Sequence, residues 1–354
     1  MIFNATKVQS LSQPTDYNTN RSYLFDNLKA LMIFVVVSTH YLRATNGFDV
    51  PTLSGATYLL FISFDMVLFI FISGYFSKNV EKVRKTAFRK LLFPYLVLTV
   101  FMYVVRYAIY GNANLSFINP SLALWFLLVM FYYRFFLKDL IKIKYILPIS
   151  IVASVAAGLI PFFNAILALG RAFGFLPFFL LGYFFQPEHL TKIRNLPKPG
   201  IIFLAIILVV YSGFMAYEEV LPLSAWFLKS SYESIGIPVL AGIPIRSWIL
   251  LTGFGWIVVF INLVPDKKTW YSSVGLNTMS VYALHLPFRH LIIASGTDFG
   301  GGLLSFIVPM LLVAVSVWIL SRPIVAKGFN FVIDGLYKVI SYPFIKAKHY
   351  LYSK

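Results

Sequence analysis

Apolar segments of membrane-spanning length, separated by short polar stretches, fill most of the chain from residue 24 onward. They lie at roughly 24–42, 57–77, 91–110, 121–137, 145–161, 168–185, 200–216, 247–264, 274–294 and 303–321. A helix needs ~20 apolar residues to cross the hydrocarbon core of a bilayer, and these runs are close to that length. The pattern therefore predicts an all-α polytopic membrane bundle of about ten transmembrane helices.

The segments that flank these runs have a different pattern. Residues 1–20 are polar and are predicted to form an N-terminal tail, while the transmembrane domain is predicted over residues 21–323. In residues 324–354, lysines are set among Phe, Tyr and Ile, which is typical of an amphipathic helix at a membrane surface. We therefore expect a cytoplasmic amphipathic segment after the last transmembrane helix.

Lys and Arg residues follow every second apolar run. They cluster after the second, fourth, sixth and eighth runs, whereas residues 111–120 and 160–170 contain neither Lys nor Arg. Because cytoplasmic loops of membrane proteins carry an excess of Lys and Arg, the clustered loops are predicted to be cytoplasmic. Both termini are then cytoplasmic and the first helix runs outward. The net charge of +17 is thus mostly a topology signal, and no nucleic-acid partner is predicted.

Composition narrows the class of protein further. Hydrophobic residues make up 59% of the 354 positions and charged residues 12%, which predicts an integral membrane protein whose partner is the lipid bilayer. The lack of Cys excludes disulfides and thiolate catalysis. None of the five His residues has metal-site spacing, so no metal is predicted. Gly300-Gly301-Gly302 lacks the neighbours of a nucleotide-binding loop and is predicted to be a flexible turn.

The first apolar run carries three ionisable residues, Asp26, Lys29 and His40. In a helix, the step from Lys29 to His40 comes within about 20° of a whole number of turns and rises about 16 Å. Both side chains therefore share one face of the helix. Because an ionisable group in lipid is costly, this face is predicted to line a protein interior or a hydrated cavity.

The run Phe25-Asp26-Asn27-Leu28-Lys29-Ala30, followed by His40, opens a series of sequence blocks. The others are Phe69–Tyr75, Arg89–Tyr95, Leu124–Leu127, Leu176–Tyr183 and Gly275–His285. In this order the blocks resemble the membrane-bound acyltransferase-3 family, which includes fucose 4-O-acetylase-like proteins and polysaccharide O-acetyltransferases. Lys29 stands where that family more often has Arg, and the basic pairs Arg84-Lys85 and Arg89-Lys90 replace its usual paired arginines.

The resemblance implies an O-acyltransferase of the bacterial plasma membrane. Such an enzyme transfers an acyl group, usually acetyl, from cytoplasmic acyl-CoA to a hydroxyl of a cell-surface or lipid-linked carbohydrate. His40 would be the general base, Lys29 would hold a phosphate or stabilise negative charge, and Asp26 would orient Lys29. The residues expected at acyl-CoA are Arg89, Lys90, Arg84, Lys85 and Arg134. Those expected at the acceptor substrate are His285, Asn277, Tyr282, Trp125, Arg171 and Ser73.

Other interpretations of the same residues stay open. His40 also suits an interfacial polar position, Lys29 suits a side chain that reaches the inner membrane surface, and Asn277 suits a hydrogen bond between helices. A transporter or flippase for a glycan or a small anionic metabolite is the alternative function, although no internal repeat favours it. A sensor or structural membrane protein is a third. The acceptor glycan, the choice between acetyl and succinyl, and homodimer formation are not predicted.

Overall fold

The computed structural model describes residues 22–46, 48–121, 123–164, 166–297 and 302–352. The polar tail predicted at residues 1–20 and most of the glycine turn predicted at 300–302 lie outside these ranges. Within them all regular structure is helical and no strand is present, which confirms the predicted all-α class.

Each predicted apolar run coincides with one helix or with two consecutive helices. In chain order the α-helices of the described residues are α1 (Tyr23–Leu42), α2 (Leu53–Ile62), α3 (Asp65–Tyr75), α4 (Val80–Ala87), α5 (Phe93–Tyr110), α6 (Trp125–Leu140), α7 (Ile146–Ala156), α8 (Leu169–Gly174), α9 (Leu176–Phe184), α10 (Pro187–Arg194), α11 (Lys198–Tyr217), α12 (Leu223–Trp226), α13 (Val239–Leu263), α14 (Thr278–Ala294), α15 (Leu304–Leu320) and α16 (Pro323–Tyr352). A π-helical turn, Phe88–Leu92, joins α4 to α5.

Several of these helices are long and apolar enough to cross a membrane. By length and composition they are Leu53–Tyr75, Val80–Tyr110, Lys198–Tyr217 and Val239–Leu263. Two bent pairs, α8 with α9 at 52° and α15 with α16 at 68°, raise the number of candidate spans in the described chain from four to six. These helices support a multi-pass membrane protein, while the count of ten spans and the side of the termini stay predictions.

The helix α1 lies at the centre of the bundle, where it contacts α2, α3, α14 and α15. Most of its side chains are buried, including the polar residue Asn27, which is fully covered. The side-chain nitrogen of Asn27 donates to the carbonyl oxygens of Pro265 and Lys267 at 2.8 and 3.0 Å. Its side-chain oxygen accepts from the hydroxyls of Thr269 and Ser272. Asn27 therefore fastens the segment after α13 to the beginning of α1.

Two glycines permit an unusually close contact between α3 and α9. A Cβ atom added at Gly74 would lie 2.0 Å from the carbonyl oxygen of Phe179. A Cβ atom added at Gly182 would lie 2.0 Å from the carbonyl oxygen of Phe71, so the contact is reciprocal. Small residues let the backbones of membrane helices approach in this way. This pair of helices forms the most extensive helix contact in the described chain.

The predicted boundaries differ from the structure at α13, which begins at Val239 and not at the predicted residue 247. Pro238 precedes the helix, and Pro244 lies inside it. Pro244 lies beyond the first turn and removes one backbone hydrogen bond, a loss that membrane helices tolerate, so an apolar segment interrupted by proline can still form a helix. The segment predicted as amphipathic after Arg322 forms the helix α16.

Candidate active site

A cavity of about 120 Å³ lies beside the C-terminal half of α1. The helix contributes Val36, Thr39, His40 and Arg43, whose spacing places them on one face. The remaining lining residues are Tyr58, Ile62, Asp65, Met66, Ala123, Trp125, Arg171, Phe175, Trp226, Phe227, Tyr282 and Arg289. We call this set of residues the His40 cavity. Six helices besides α1, together with the segments between helices, therefore contribute residues around His40.

The imidazole of His40 is paired with that of His285 on α14. Nδ1 of His40 lies 2.6 Å from Nε2 of His285, and the ring planes differ by only 14°. Nδ1 of His285 in turn lies 3.0 Å from the carbonyl oxygen of Val281. A carbonyl oxygen only accepts hydrogen bonds, so Nδ1 of His285 carries a proton and its Nε2 is the acceptor in the neutral ring. His40 then donates from Nδ1.

This hydrogen-bond chain determines which nitrogen of His40 is basic. With a proton on Nδ1, the neutral ring of His40 keeps its lone pair on Nε2. His285 is fully buried, whereas His40 is partly exposed and lines the cavity. The arrangement is therefore that of a general base oriented by a second buried group, which is the geometry that proton abstraction requires.

Two of the predicted acceptor residues, Trp125 and Arg171, form one stacked wall of the His40 cavity. The guanidinium carbon of Arg171 lies 4.5 Å from the centre of the Trp125 indole. Phe175 stacks on the same indole at 5.5 Å. A third predicted residue, Tyr282, also lines the cavity, and its hydroxyl donates to the carbonyl oxygen of Ala123. The structure thus brings Trp125, Arg171 and Tyr282 together with His40.

Two other predicted acceptor residues do not line the His40 cavity. The Asn277 side chain donates to the carbonyl oxygen of Ser321 at 2.8 Å and so ties the beginning of α14 to the end of α15. Ser73 lies near the end of α3, where its carbonyl oxygen accepts from the hydroxyl of Ser77. The Asn277 contact is of the kind that holds membrane helices together, whereas the Ser73 contact is local to the end of α3.

The predicted catalytic residues Lys29 and Asp26 also lie outside the His40 cavity. Nζ of Lys29 is 2.9 Å from the carboxylate of Asp26, one helical turn away. The Lys29 side chain is 26% exposed and that of Asp26 only 8%. Although Lys29 and His40 share a face of α1, the helical rise separates them by about 16 Å. A cavity of this size therefore contains only one of the two.

Three predicted acyl-CoA residues line a second hollow of about 610 Å³ between the π-helical turn and α16. We call it the basic groove, and it is lined by Lys85, Thr86, Arg89, Lys90, Pro94, Met279, Phe329, Asn330, Ile333, Asp334 and Tyr337. Arg89 donates to the carboxylate of Asp334 at 2.8 Å and lies over the ring of Tyr337. π-Helical turns are rare and frequently occur at functional sites.

The other two predicted acyl-CoA residues do not line the basic groove. Arg84 pairs with the carboxylate of Asp139 at 2.9 Å and lies over the ring of Phe135. Arg134 lies on α6, and its Nε is buried without a hydrogen-bond partner among the described residues. The structure therefore divides the five predicted cations into three in the groove and two beside α6.

The His40 cavity also contains Arg43, Tyr58, Asp65 and Arg289, which are absent from the predicted site. Asp65 lies in the middle of the second apolar run, where a lone carboxylate is itself a sign of a functional interior position. Arg43 extends the face of α1 that carries His40, and Arg289 extends the face of α14 that carries His285. Extending those two helical faces by one turn would have found both arginines. No cluster of three metal-ligating side chains occurs among the described residues.

Comparison with known proteins identifies the family. The model of the acyltransferase-3 family, described as an acyltransferase domain, matches residues 23–322. Neither curated proteins nor solved structures give a significant match. The matched region runs from the first residue of α1 to just beyond α15 and includes both the His40 cavity and most of the basic groove. The chain therefore belongs to the membrane-bound acyltransferase-3 family and is an acyltransferase.

Proposed function

We propose that this acyltransferase moves an acyl group, acetyl in the simplest case, from acyl-CoA to a hydroxyl of a cell-surface or lipid-linked carbohydrate. The observation that carries the proposal is the pairing of His40 with the buried His285 at the wall of the cavity. A carbohydrate hydroxyl is a poor nucleophile near neutral pH, so its attack on a thioester needs a positioned base. His40 is the residue that we assign to this role.

The proposed reaction is a single acyl transfer. Nε2 of His40 takes the proton of the acceptor hydroxyl while the hydroxyl oxygen attacks the carbonyl carbon of the thioester. The bond between carbon and sulfur then breaks, and the imidazolium of His40 returns the proton to the sulfur of the departing CoA. His285 acts as a positioning residue, because its Nε2 accepts from Nδ1 of His40 and keeps the basic lone pair on Nε2.

We assign the basic groove to the phosphates of acyl-CoA. Lys85, Arg89 and Lys90 supply three positive charges there, and the guanidinium of Arg89 can hold two phosphate oxygens at once. The alternating basic loops support a position of this groove on the cytoplasmic side of a bacterial plasma membrane, where acyl-CoA is found. The same topology directs the His40 end of α1 outward, toward a surface carbohydrate. Lys29 and Asp26 would then position α1 from its cytoplasmic end.

The test is the rate of CoA release by the purified protein with His40→Ala. Acetyl-CoA turnover should fall by about 10²–10⁴-fold if His40 is the general base. Because the chain contains no Cys, the released thiol can be measured with a thiol reagent without a background from the protein. His189→Ala is the control, since His189 lies at the beginning of α10 and not in the His40 cavity.

Two outcomes would contradict the proposed function. A well-folded His40→Ala protein that retains a near wild-type rate would remove His40 from the mechanism. A wild-type protein that binds acetyl-CoA but never releases CoA would favour the alternative of a transporter. His285→Ala should cause a smaller loss than His40→Ala and should change the pH profile of the rate, because the tautomer of His40 is then no longer held.

A further inference from the structure

The three arginines of the His40 cavity differ from Arg194 and Arg246 in what they contact. Arg194 donates to the carbonyl oxygens of Ile261 and Val264, both at 3.0 Å. Arg246, which is buried, donates to the carbonyl oxygen of Leu228 at 2.9 Å. These two guanidinium groups already have acceptors, as a charged group inside a protein requires.

Arg171 has no such acceptor in the described part of the chain. Its guanidinium lies on the indole of Trp125, which offers a π face but no oxygen atom. Arg289 shows the same deficit. Its Nε is buried without a partner, as is that of Arg246, but unlike Arg246 it has no acceptor for its other guanidinium nitrogens among the described residues. Leaving the buried Nε of Arg289 unsatisfied costs free energy, and the half-buried guanidinium of Arg171 has no protein acceptor among the described residues, so both arginines are available to an acceptor that enters the cavity.

Arg43 completes the group at the end of α1. It donates to the hydroxyl of Tyr58 at 3.1 Å, and its guanidinium carbon lies 5.5 Å from the centre of the Phe227 ring. The side chain is exposed, and among the described residues no carboxylate pairs with it. A hydroxyl and two aromatic rings leave most of its five N–H donors available.

The charge of these arginines is not balanced within the cavity. Asp65 is the one carboxylate among the described lining residues, and the hydrogen bond made by its Oδ1 is with the backbone N–H of Met66 at 2.5 Å. Lys229, in the segment after α12, adds a further positive charge close by. Burial, and then the charge of Arg171, lower the pKa of Lys229. The cavity therefore carries an excess of positive charge beside the proposed base.

We propose that Arg43, Arg171 and Arg289 bind an anionic group of the acyl acceptor, so that the acceptor is a carbohydrate bearing a carboxylate or a phosphate. This inference rests on the proposed function of the His40 cavity. Guanidinium groups bind carboxylates and phosphates with paired hydrogen bonds, and these gain strength where water is excluded. An anion held by the three arginines would fix the orientation of the sugar, and a hydroxyl of the same sugar would face Nε2 of His40.

Matched probes test the inference. The melting temperature of the purified protein is measured with methyl glucoside, methyl glucuronoside and glucose 6-phosphate, each at millimolar concentration. One or both anionic probes should raise the melting temperature while the neutral glucoside does not. Whether the carboxylate or the phosphate gives the larger shift identifies the source of the charge. Equal shifts with all three probes, or none with any, would overturn the inference.

The double variant Arg171→Gln with Arg289→Gln should abolish the shift with the anionic probe. In turnover assays it should raise KM for an anionic acceptor by about ten- to hundredfold, the loss expected for charged hydrogen bonds, while KM for acetyl-CoA stays constant. Arg322→Gln is the matched control, because Arg322 also lies on an indole, that of Trp318 at 4.0 Å, but not in the cavity.

The proposed function and this inference can fail separately. If the double variant weakened acetyl-CoA binding instead, the arginines would belong to the donor site and the inference would be wrong. If anionic probes bound through the arginines but the wild-type protein released no CoA, the anion site would stand and the assignment of His40 as a catalytic base would be lost.

Discussion

The His40 cavity and the basic groove both concentrate positive charge, but their cations are paired differently. In the groove, Arg89 contacts the carboxylate of Asp334, and both side chains are 50% exposed. Nearby, Lys138 pairs with Glu81 in the same half-exposed manner. In the cavity, Arg171 contacts an indole and no carboxylate among the described residues. The groove therefore holds a neutralised surface pair at Arg89, whereas the guanidinium groups of the cavity pair with no carboxylate among the described residues.

This difference shows how each region would bind an anion. An exposed ion pair contributes about 0–1 kcal/mol, so a phosphate can replace Asp334 at Arg89 with little loss. Binding at the groove should then be weakened strongly by salt. No carboxylate of the described residues pairs with the arginines of the cavity, and their surroundings screen charge less. We expect the groove to exchange its ligand readily and the cavity to be selective.

The largest expected effect concerns the side of the membrane on which each region lies. Single cysteines introduced at the exposed positions Lys82, Lys192 and Lys267 should react only with membrane-permeant thiol reagents in intact cells. Cysteines at Asn114 and Glu218, also exposed, should react with impermeant reagents added outside. The Cys-free wild-type chain is the control. Labelling of Lys82→Cys by an impermeant reagent would reverse the orientation and exchange the two regions.

The next effect separates the two regions by their ligands. Replacing Arg89 and Lys90 with Gln should weaken acyl-CoA binding by about tenfold, because two charged contacts with phosphate are lost. Isothermal titration with the purified protein measures this change. The folded state should persist, since exposed charges contribute little to stability. Lys192→Gln, which removes a basic residue outside the groove, is the control.

Asp334→Asn should change the affinity for acyl-CoA in the opposite direction. It removes the carboxylate that competes for Arg89, so acyl-CoA should bind more tightly, by up to about fivefold for an exposed pair. Unchanged acyl-CoA affinity in both the Arg89/Lys90 variant and the Asp334 variant would move the phosphate site away from the groove. Arg84 and Arg134, which lie beside and on α6, would then be the next candidates for binding the phosphates.

The smallest effect is expected at Lys29. Lys29→Arg keeps a positive charge beside Asp26 and introduces the residue that the family more often has, so the rate of CoA release should change less than about threefold. Lys29→Ala should lower the rate further, because the carboxylate of Asp26 then loses this ion pair. A loss with Lys29→Arg as large as that with His40→Ala would show that Lys29 acts directly at the reaction centre.

Local pattern predicted the helices and part of the site. Each apolar run corresponds to one helix or two consecutive helices, whereas the short helices α4, α10 and α12 lie outside the runs. The family blocks around His40, Trp125 and Tyr282 correspond to residues that meet at one cavity. Helical periodicity predicts Lys29 on the face of α1 that carries His40. Periodicity gives no information on how far along that face a cavity extends. It therefore groups Lys29 with His40, although the helical rise separates them by about 16 Å.

The remaining features depend on contacts between distant parts of the chain. His40 and His285 are 245 positions apart, and the hydrogen bond between them follows from the packing of α1 against α14. The ion pair between Arg89 and Asp334 likewise requires the bend between α15 and α16. Asp65 was missed for a different reason, because a single carboxylate hardly changes the mean hydropathy of a long apolar run. Periodicity within one helix contains no information on which helix lies opposite.

The contact at Gly74 and Gly182 restricts how hydrophobic molecules can move around this protein. The backbones of α3 and α9 touch there, and no space remains even for a methyl group. Neither a phospholipid tail nor the long hydrocarbon chain of a lipid-linked sugar can slip sideways between these two helices. If the proposed acceptor is lipid-linked, its carrier lipid must therefore stay in the bilayer beside another pair of helices while only its head group enters.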